Sequence, residues 1–187
     1  HYDELCGPKM ARKLAHLYLS SCLANQTYTR VAEIDGKPTG IIMAKNIEEH
    51  RTPFRCKMRQ LGTILSVIIS REGRKATRIF GGVDDIDKVL LSEAQIPYQG
   101  EVAFFAVSSA VRGKGVGKML YRKMLDYMRA HSIDRFFLFT DTSCNYGFYE
   151  HLGMQRRGEK EKTFEIDEKE AKMRFFLYDA KTELQTF

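Results

Sequence analysis

The sequence predicts one α/β domain, a mixed sheet flanked by helices. Three observations carry that prediction. An apolar run over 102–107 passes through a glycine-rich turn into an amphipathic run over 118–131, and then into a second apolar run over 135–139. A strand–helix–strand unit of this length implies a right-handed crossover and parallel pairing. A hairpin pattern precedes the unit and strand patterns follow it. At 187 residues, 43% hydrophobic and 29% charged, the chain has the composition of a single globular domain, 1–187, with a full core.

The elements follow in order. Met10, Leu14, Leu17, Tyr18 and Cys22 fall at helical spacing, with Pro8 near the start, so 10–23 reads as a helix. Residues 28–34 and 39–44 read as strands joined by the turn Asp35-Gly36-Lys37-Pro38. Residues 46–96 read as a basic helical insertion between two strands. Phe54, Met58, Leu61, Leu65 and Ile68 recur on one helical face, Gly81-Gly82 breaks the chain, and Asp84-Asp85 is expected to cap a shorter helix carrying Ile86, Val89, Leu90 and Ala94. Residues 101–107 read as a central strand, with Val102, Phe104 and Ala106 on one face and Glu101, Ala103, Phe105 and Val107 on the other. The helix after the glycine turn is expected to bury Val116, Leu120, Met124 and Tyr127 and to turn Lys118, Arg122, Lys123 and Arg129 outward. A short helix over 145–151 ends at Gly153 in a C-cap. Strands are expected over 154–159, 163–166 and 173–178, with 160–162 and 167–172 as solvated turns.

The net charge is +6, but it is local. Between Arg51 and Arg78 there are eight basic residues and one acid, Glu72, so the rest of the chain is close to neutral. The stretch is read either as a lid attracting an anionic acceptor or the donor's phosphates, or as a helix with a solvated face. It lacks aromatics interleaved with its charges, so nucleic acid is not an expected partner. No apolar run is long enough to span a bilayer, so no membrane is expected. No secretory signal is read at the N-terminus. Cys6, Cys22, Cys56 and Cys144 form no Cys-x-x-Cys pair, and the five histidines form no ligand motif. Reduced thiols, a cytoplasmic location and no metal are the expectation.

The informative stretch is Arg112-Gly113-Lys114-Gly115-Val116-Gly117-Lys118. A glycine turn between a strand and a helix aims backbone N–H groups and the positive end of the helix dipole at one point, which suits a phosphate. It is not a Walker loop, because Lys118 is followed by Met119, and its glycines are one residue short of the dinucleotide spacing. It matches Arg/Gln-x-x-Gly-x-Gly/Ala. Downstream, Asn145-x-x-x-Tyr149-x-x-x-Gly153-Met154 follows Asn-x-x-hydrophobic-Tyr-x-x-x-Gly-Phe, with Met154 in place of the aromatic. Two such patterns, in this order and at this separation, resemble the GNAT superfamily of N-acetyltransferases over about residues 100–155.

The resemblance implies a single domain with a mostly antiparallel sheet that splays between its two central parallel strands. It implies acetyl-coenzyme A as donor and a primary amine as acceptor, on either a small molecule or a peptide. Val107 and Ser109 would offer backbone groups to the pantetheine arm. The amides of Arg112, Gly113, Lys114, Gly115, Val116, Gly117 and Lys118 would hold the pyrophosphate, and Asn145 would contact the coenzyme. Tyr149 would be the acid that protonates the leaving thiolate. Glu101, in the strand where the histone-type branch carries a glutamate, would be the base. Asp141 and His151 are read instead as a loop cap and a surface residue, and Cys144 as a small residue near the coenzyme. The family's short first strand would lie upstream, or be represented by residues 2–6. The alternative is a catalytically silent coenzyme- or partner-binding module on the same fold. Either a monomer or a homodimer fits the sequence.

Overall fold

The computed structural model describes residues 8–51, 82–166 and 169–185. Helix α1 (Pro8–Ala24) leads into the hairpin of β1 (Tyr28–Ile34) and β2 (Lys37–Asn46). Helix α2 (Val83–Ala94) precedes β3 (Gly100–Val107), α3 (Val116–Ala130), β4 (Arg135–Asp141) and the short helix α4 (Gly147–His151). Strands β5 (Gln155–Ile166) and β6 (Lys169–Lys181) complete a six-stranded sheet in the order β1-β2-β3-β4-β6-β5. Among the described strands only β3 and β4 run parallel; the other neighbours are antiparallel. The helix expected over 54–68, nearly all of the basic stretch and the strand remnant over 2–6 lie outside the described residues.

The hairpin turn is tight because Asp35 and Gly36 both take positive φ, 52° and 72°, the geometry that matches strand twist. Helix α3 buries Val116, Leu120, Tyr121, Met124, Leu125 and Met128 against one face of the sheet. Tyr127, expected in that core, is half-buried; its hydroxyl meets that of Thr27 at 2.7 Å and its ring stacks on Tyr28. Helix α2 covers the other face, where Leu90 joins Phe137, Phe164, Phe175 and Leu177. Its first turn differs from expectation. Gly82 in a left-handed conformation is the N-cap, and Asp84 and Asp85 lie inside the helix without a side-chain cap. Val89 points to solvent. Residues 160–162 and 169–172 are strand rather than turn: β5 runs unbroken and its charges alternate along an edge strand, a composition that discourages further pairing.

Two departures from regular pairing shape the middle of the sheet. The first is how soon the parallel pair ends. Gly100 pairs with Phe136 and Glu101 with Phe137, and the register stops there. Strand β3 stays on β2 as far as Val107 opposite Gly40, and β4 stays on β6 as far as Asp141 opposite Phe175. The sheet therefore opens as a wedge. The second is a β-bulge. Ala44 faces Val102 and Met43 faces Phe104, so Ala103 is an extra residue on β3. An inserted residue reverses the alternation. Val102, Phe105 and Val107 all pack on the α3 side, whereas Phe104 meets the ring of Tyr18 on α1. Glu101 and Val107 thus do not share a face, as unbroken alternation had required.

Beyond the wedge, β6 carries Asp179, 1% exposed and held by Arg135 Nε at 2.9 Å and Arg157 Nε at 2.8 Å. The Tyr98 hydroxyl donates to the same carboxylate at 3.3 Å, and burial beside it pushes that phenol up to about 12. The cluster ties β4, β5 and β6 into one half of the opened sheet.

Candidate active site

The glycine turn is built in three short steps. Ser108 leaves β3 by donating its N–H to Thr39 O at 2.8 Å, and its hydroxyl caps a 3-10 turn over Ser109–Val111. Arg112 N–H donates to Ser109 O and Lys114 N–H to Val111 O, so those two amides are already used. Helix α3 then starts from Gly115, whose φ of 77° permits no strain-free side chain, and the first intrahelical bond is Met119 N–H to Gly115 O at 2.9 Å. The amides of Gly115, Val116 and Gly117 belong to the first turn of α3, which helix geometry leaves without an intrahelical carbonyl partner. Two of the seven amides expected to hold a phosphate, those of Arg112 and Lys114, are thus engaged within the turn itself.

The glycines divide in role. Gly113 and Gly115 have positive φ, and a Cβ on either meets nothing within 4 Å, so the turn is open to an incoming group. Gly117 is an ordinary helical residue whose Cβ would lie 3.6 Å from the Phe148 ring and 3.7 Å from Phe105. Arg112, Lys114 and Lys118 stand exposed around the turn, while the Val116 side chain is in the core and can offer only its backbone.

The wedge opens beside this turn. Val107 is half-buried at the end of β3, and the Ser109 carbonyl is engaged by Arg112. Along β3 after Glu101 the backbone facing β4 has no strand partner. Such interior N–H and C=O groups call for a polar occupant. Helix α4 borders the opening: Phe148 packs edge-on against Phe105, centroids 5.6 Å apart. Tyr149 packs on the α3-side core with its ring 6.1 Å from that of Tyr178. Burial pushes its phenol up, so it is protonated at neutral pH, and the hydroxyl bonds to no other described residue. Glu150, next to it, accepts from Tyr178 Oη at 2.7 Å and Arg156 at 2.6 Å, which fastens α4 to β5 and β6. Asn145 is exposed, its carbonyl accepting from Phe148 N–H.

Glu101 lies on the opposite face, in a cavity of about 220 Å³ between α1, α2 and the bulged strand. Tyr18 and Cys22 line it from α1, Asn25 from just past the end of that helix, Asp84 and Asp87 from α2, Ala103 from β3 and Phe139 from β4. Lys45 Nζ pairs with Glu101 at 3.3 Å, the two side chains being 19% and 18% exposed. Asp87 is raised to about 6, first by burial and then by the neighbouring charges of Asp84, Glu101 and Asp141. Burial also pushes the Cys22 thiol up.

Asp141 and His151 stand where they were read. Asp141 caps the loop after β4, accepting from Ser143 N–H at 2.7 Å. His151 is on the surface with its ring bonded to Gly147 O, and Cys144 is exposed. Asp87 and Lys45 escaped sequence reasoning. They stand fourteen and fifty-six positions from Glu101 in no motif, and only the packing of α2 and the β2–β3 pairing bring them to it.

Comparison with known proteins agrees with this geometry. Residues 82–154 match the acetyltransferase (GNAT) family. No curated protein sequence matches the chain. Among solved structures, the ribosomal-protein-S18-alanine N-acetyltransferase of Escherichia coli superposes with a TM-score of 0.51 at 10% identity, over 88% of this chain and 74% of that one. The smu.2055 protein of Streptococcus mutans UA159 gives 0.50 at 14%, over 88% and 75%. At such identities the likeness is one of fold.

Proposed function

Since residues 82–154 match the acetyltransferase (GNAT) family, we propose that the protein moves an acetyl group from acetyl-coenzyme A to a primary amine by direct attack. The observation that carries this reading is the wedge between β3 and β4, opening beside an unobstructed glycine turn on one side and an acidic cavity on the other. The residues present suit the donor. The amides of Gly113 and of the α3 N-terminus from Gly115 to Lys118, with the side chains of Arg112 and Lys114, would hold its pyrophosphate, and the backbone of β3 beyond Glu101, which has no strand partner on the β4 side, would bond its pantetheine amides. Val107, Ser109 and Asn145 would border the arm. Bound there, the coenzyme supplies an activated thioester.

The protein's own groups would then divide the work. An alkylammonium must lose a proton before its nitrogen can attack. Glu101 is the base in this reading: it pairs with Lys45 at 3.3 Å and faces the cavity at the bulge. Ala103 has no opposite number in the β2 or β4 register, and its N–H would be the donor that stabilises a developing oxyanion. Tyr149, protonated and without a described hydrogen-bond partner, is the acid that gives its proton to the departing sulfur.

The test is release of thiol from acetyl-coenzyme A over a panel of amines, with Glu101→Gln and Tyr149→Phe beside the native protein. Each variant is expected to lose about a hundredfold in turnover. Turnover unchanged in both would remove these roles. Calorimetry with coenzyme A tests the donor site: Arg112→Glu with Gly115→Glu should abolish binding, and retained binding would place the phosphate elsewhere. Tight coenzyme binding with no amine acetylated would favour the catalytically silent module.

A further inference from the structure

The cavity on the α1–α2 side has walls from both parted strands, Ala103 of β3 and Phe139 of β4, so it reaches the same split from the face opposite α3. Its charges are unequal. Three carboxylates, Asp84, Asp87 and Glu101, line it, and the one described cation at hand, Lys45, is taken by Glu101. Asp87 has no cationic partner among the described residues. The three carboxylates do not converge as metal ligands do. The remaining wall is organic in character: the Tyr18 ring, Cys22, Asn25 and Phe139.

A monoamine that binds here as its ammonium brings one positive charge and must give up its proton to react. Once neutral, it leaves the Asp87 side of the cavity uncompensated. An acceptor with a second ammonium group keeps a positive charge through the reaction. Resting on the acetyl-transfer reading above, we propose that Asp87 selects the acceptor by holding a second ammonium group, so that the substrates are alkyl diamines or larger polyamines whose first amine reaches Glu101. A charge-assisted hydrogen bond from ammonium to a half-buried carboxylate is among the stronger polar contacts a protein makes.

The groups facing Asp87 are Asp84 on its own helix, Glu101 with Lys45 from β3 and β2, Asp141 from β4, and Tyr18 with Cys22 from α1. The carboxylates among them resist its ionisation in the empty cavity. A bound cation reverses that, so the preference for diamines should weaken as pH falls below about 6, where Asp87 becomes neutral.

The experiment is calorimetry of the full chain with 1,4-diaminobutane and with butylamine, for the native protein, Asp87→Asn and Asp87→Glu. The native protein is expected to bind the diamine at least about tenfold more tightly. Asp87→Asn should erase that ratio and Asp87→Glu should keep most of it. Equal affinity for the two amines in the native protein, or an undiminished ratio in Asp87→Asn, overturns the proposal. KM values for the two amines, read alongside, should show the same ratio. Diamine selectivity in binding without acetyl transfer to either amine would count against the enzymatic reading and leave the role of Asp87 standing.

Discussion

Asp87 also carries a stability consequence, because a carboxyl whose ionisation the fold resists works against the fold. Its ordinary value is 3.8 and in the structure it rises to about 6. The sign follows from proton binding. Between those values the folded chain holds a proton that the unfolded chain has released, so folding stability falls as pH rises through that interval and stays low above it. The full difference corresponds to roughly 3 kcal/mol at neutral pH. Asp87 is partly open to water, and screening reduces this to about 1 kcal/mol. Replacing it with Asn, which keeps the shape and removes the charge, should therefore stabilise the protein by about 1 kcal/mol at pH 7.5, raising Tm by about 2–4 °C for a chain of this length. At about pH 4.5 the gain should shrink to about a third, since the native carboxyl is then largely protonated. Urea unfolding of both proteins at the two pH values reads this directly. An equal gain at both, or a loss at pH 7.5, would refute the claim that charge at this position opposes the fold. The gain would come at the expense of acceptor binding, the usual relation between a functional carboxylate and stability.

Other perturbations test other parts. Asp179→Ala strands the guanidinium groups of Arg135 and Arg157 and should lower unfolding free energy by about 3–5 kcal/mol, measured by urea denaturation. Gly40→Ala would set a Cβ 2.9 Å from Leu120 Cδ1 and 3.3 Å from Val116 Cγ1, against the first turns of α3. It should cost about 1–3 kcal/mol in thermal unfolding and weaken coenzyme A binding in calorimetry, as the helix start shifts. Gly115→Ala should cost about 1–2 kcal/mol through its positive φ, whereas Gly117→Ala, with only van der Waals contact to Phe148, should be within about 0.5 kcal/mol of native. Tyr149→Phe should change Tm little, because the lost hydroxyl bonds to no described residue.

What the sequence by itself determined was local. A run of apolar residues, three glycines and an amphipathic stretch specify a strand, a turn and a helix through backbone sterics and side-chain period, interactions that span a few residues. For the same reason Arg112 to Lys118 was legible as the turn that opens a helix, Tyr149 as a residue of its own short helix, and Gly153, at φ 76°, as that helix's stop. The antiparallel hairpin followed from its turn. The splayed sheet was legible only through resemblance.

Only the tertiary structure decided which carboxylates meet. The alternation that put Glu101 on Val107's face holds for a regular strand, and the bulge at Ala103 is set by pairing with β2, which no pattern within β3 records. The bulge carries Glu101 across to α1 and α2, and there Lys45 and Asp87 become its neighbours. Long-range packing also divided the three glycines between backbone strain and ring contact, and drew Asp179 between two arginines. Electrostatic character at this site comes from burial and from charges brought together by distant segments, and both exist only once the chain has folded.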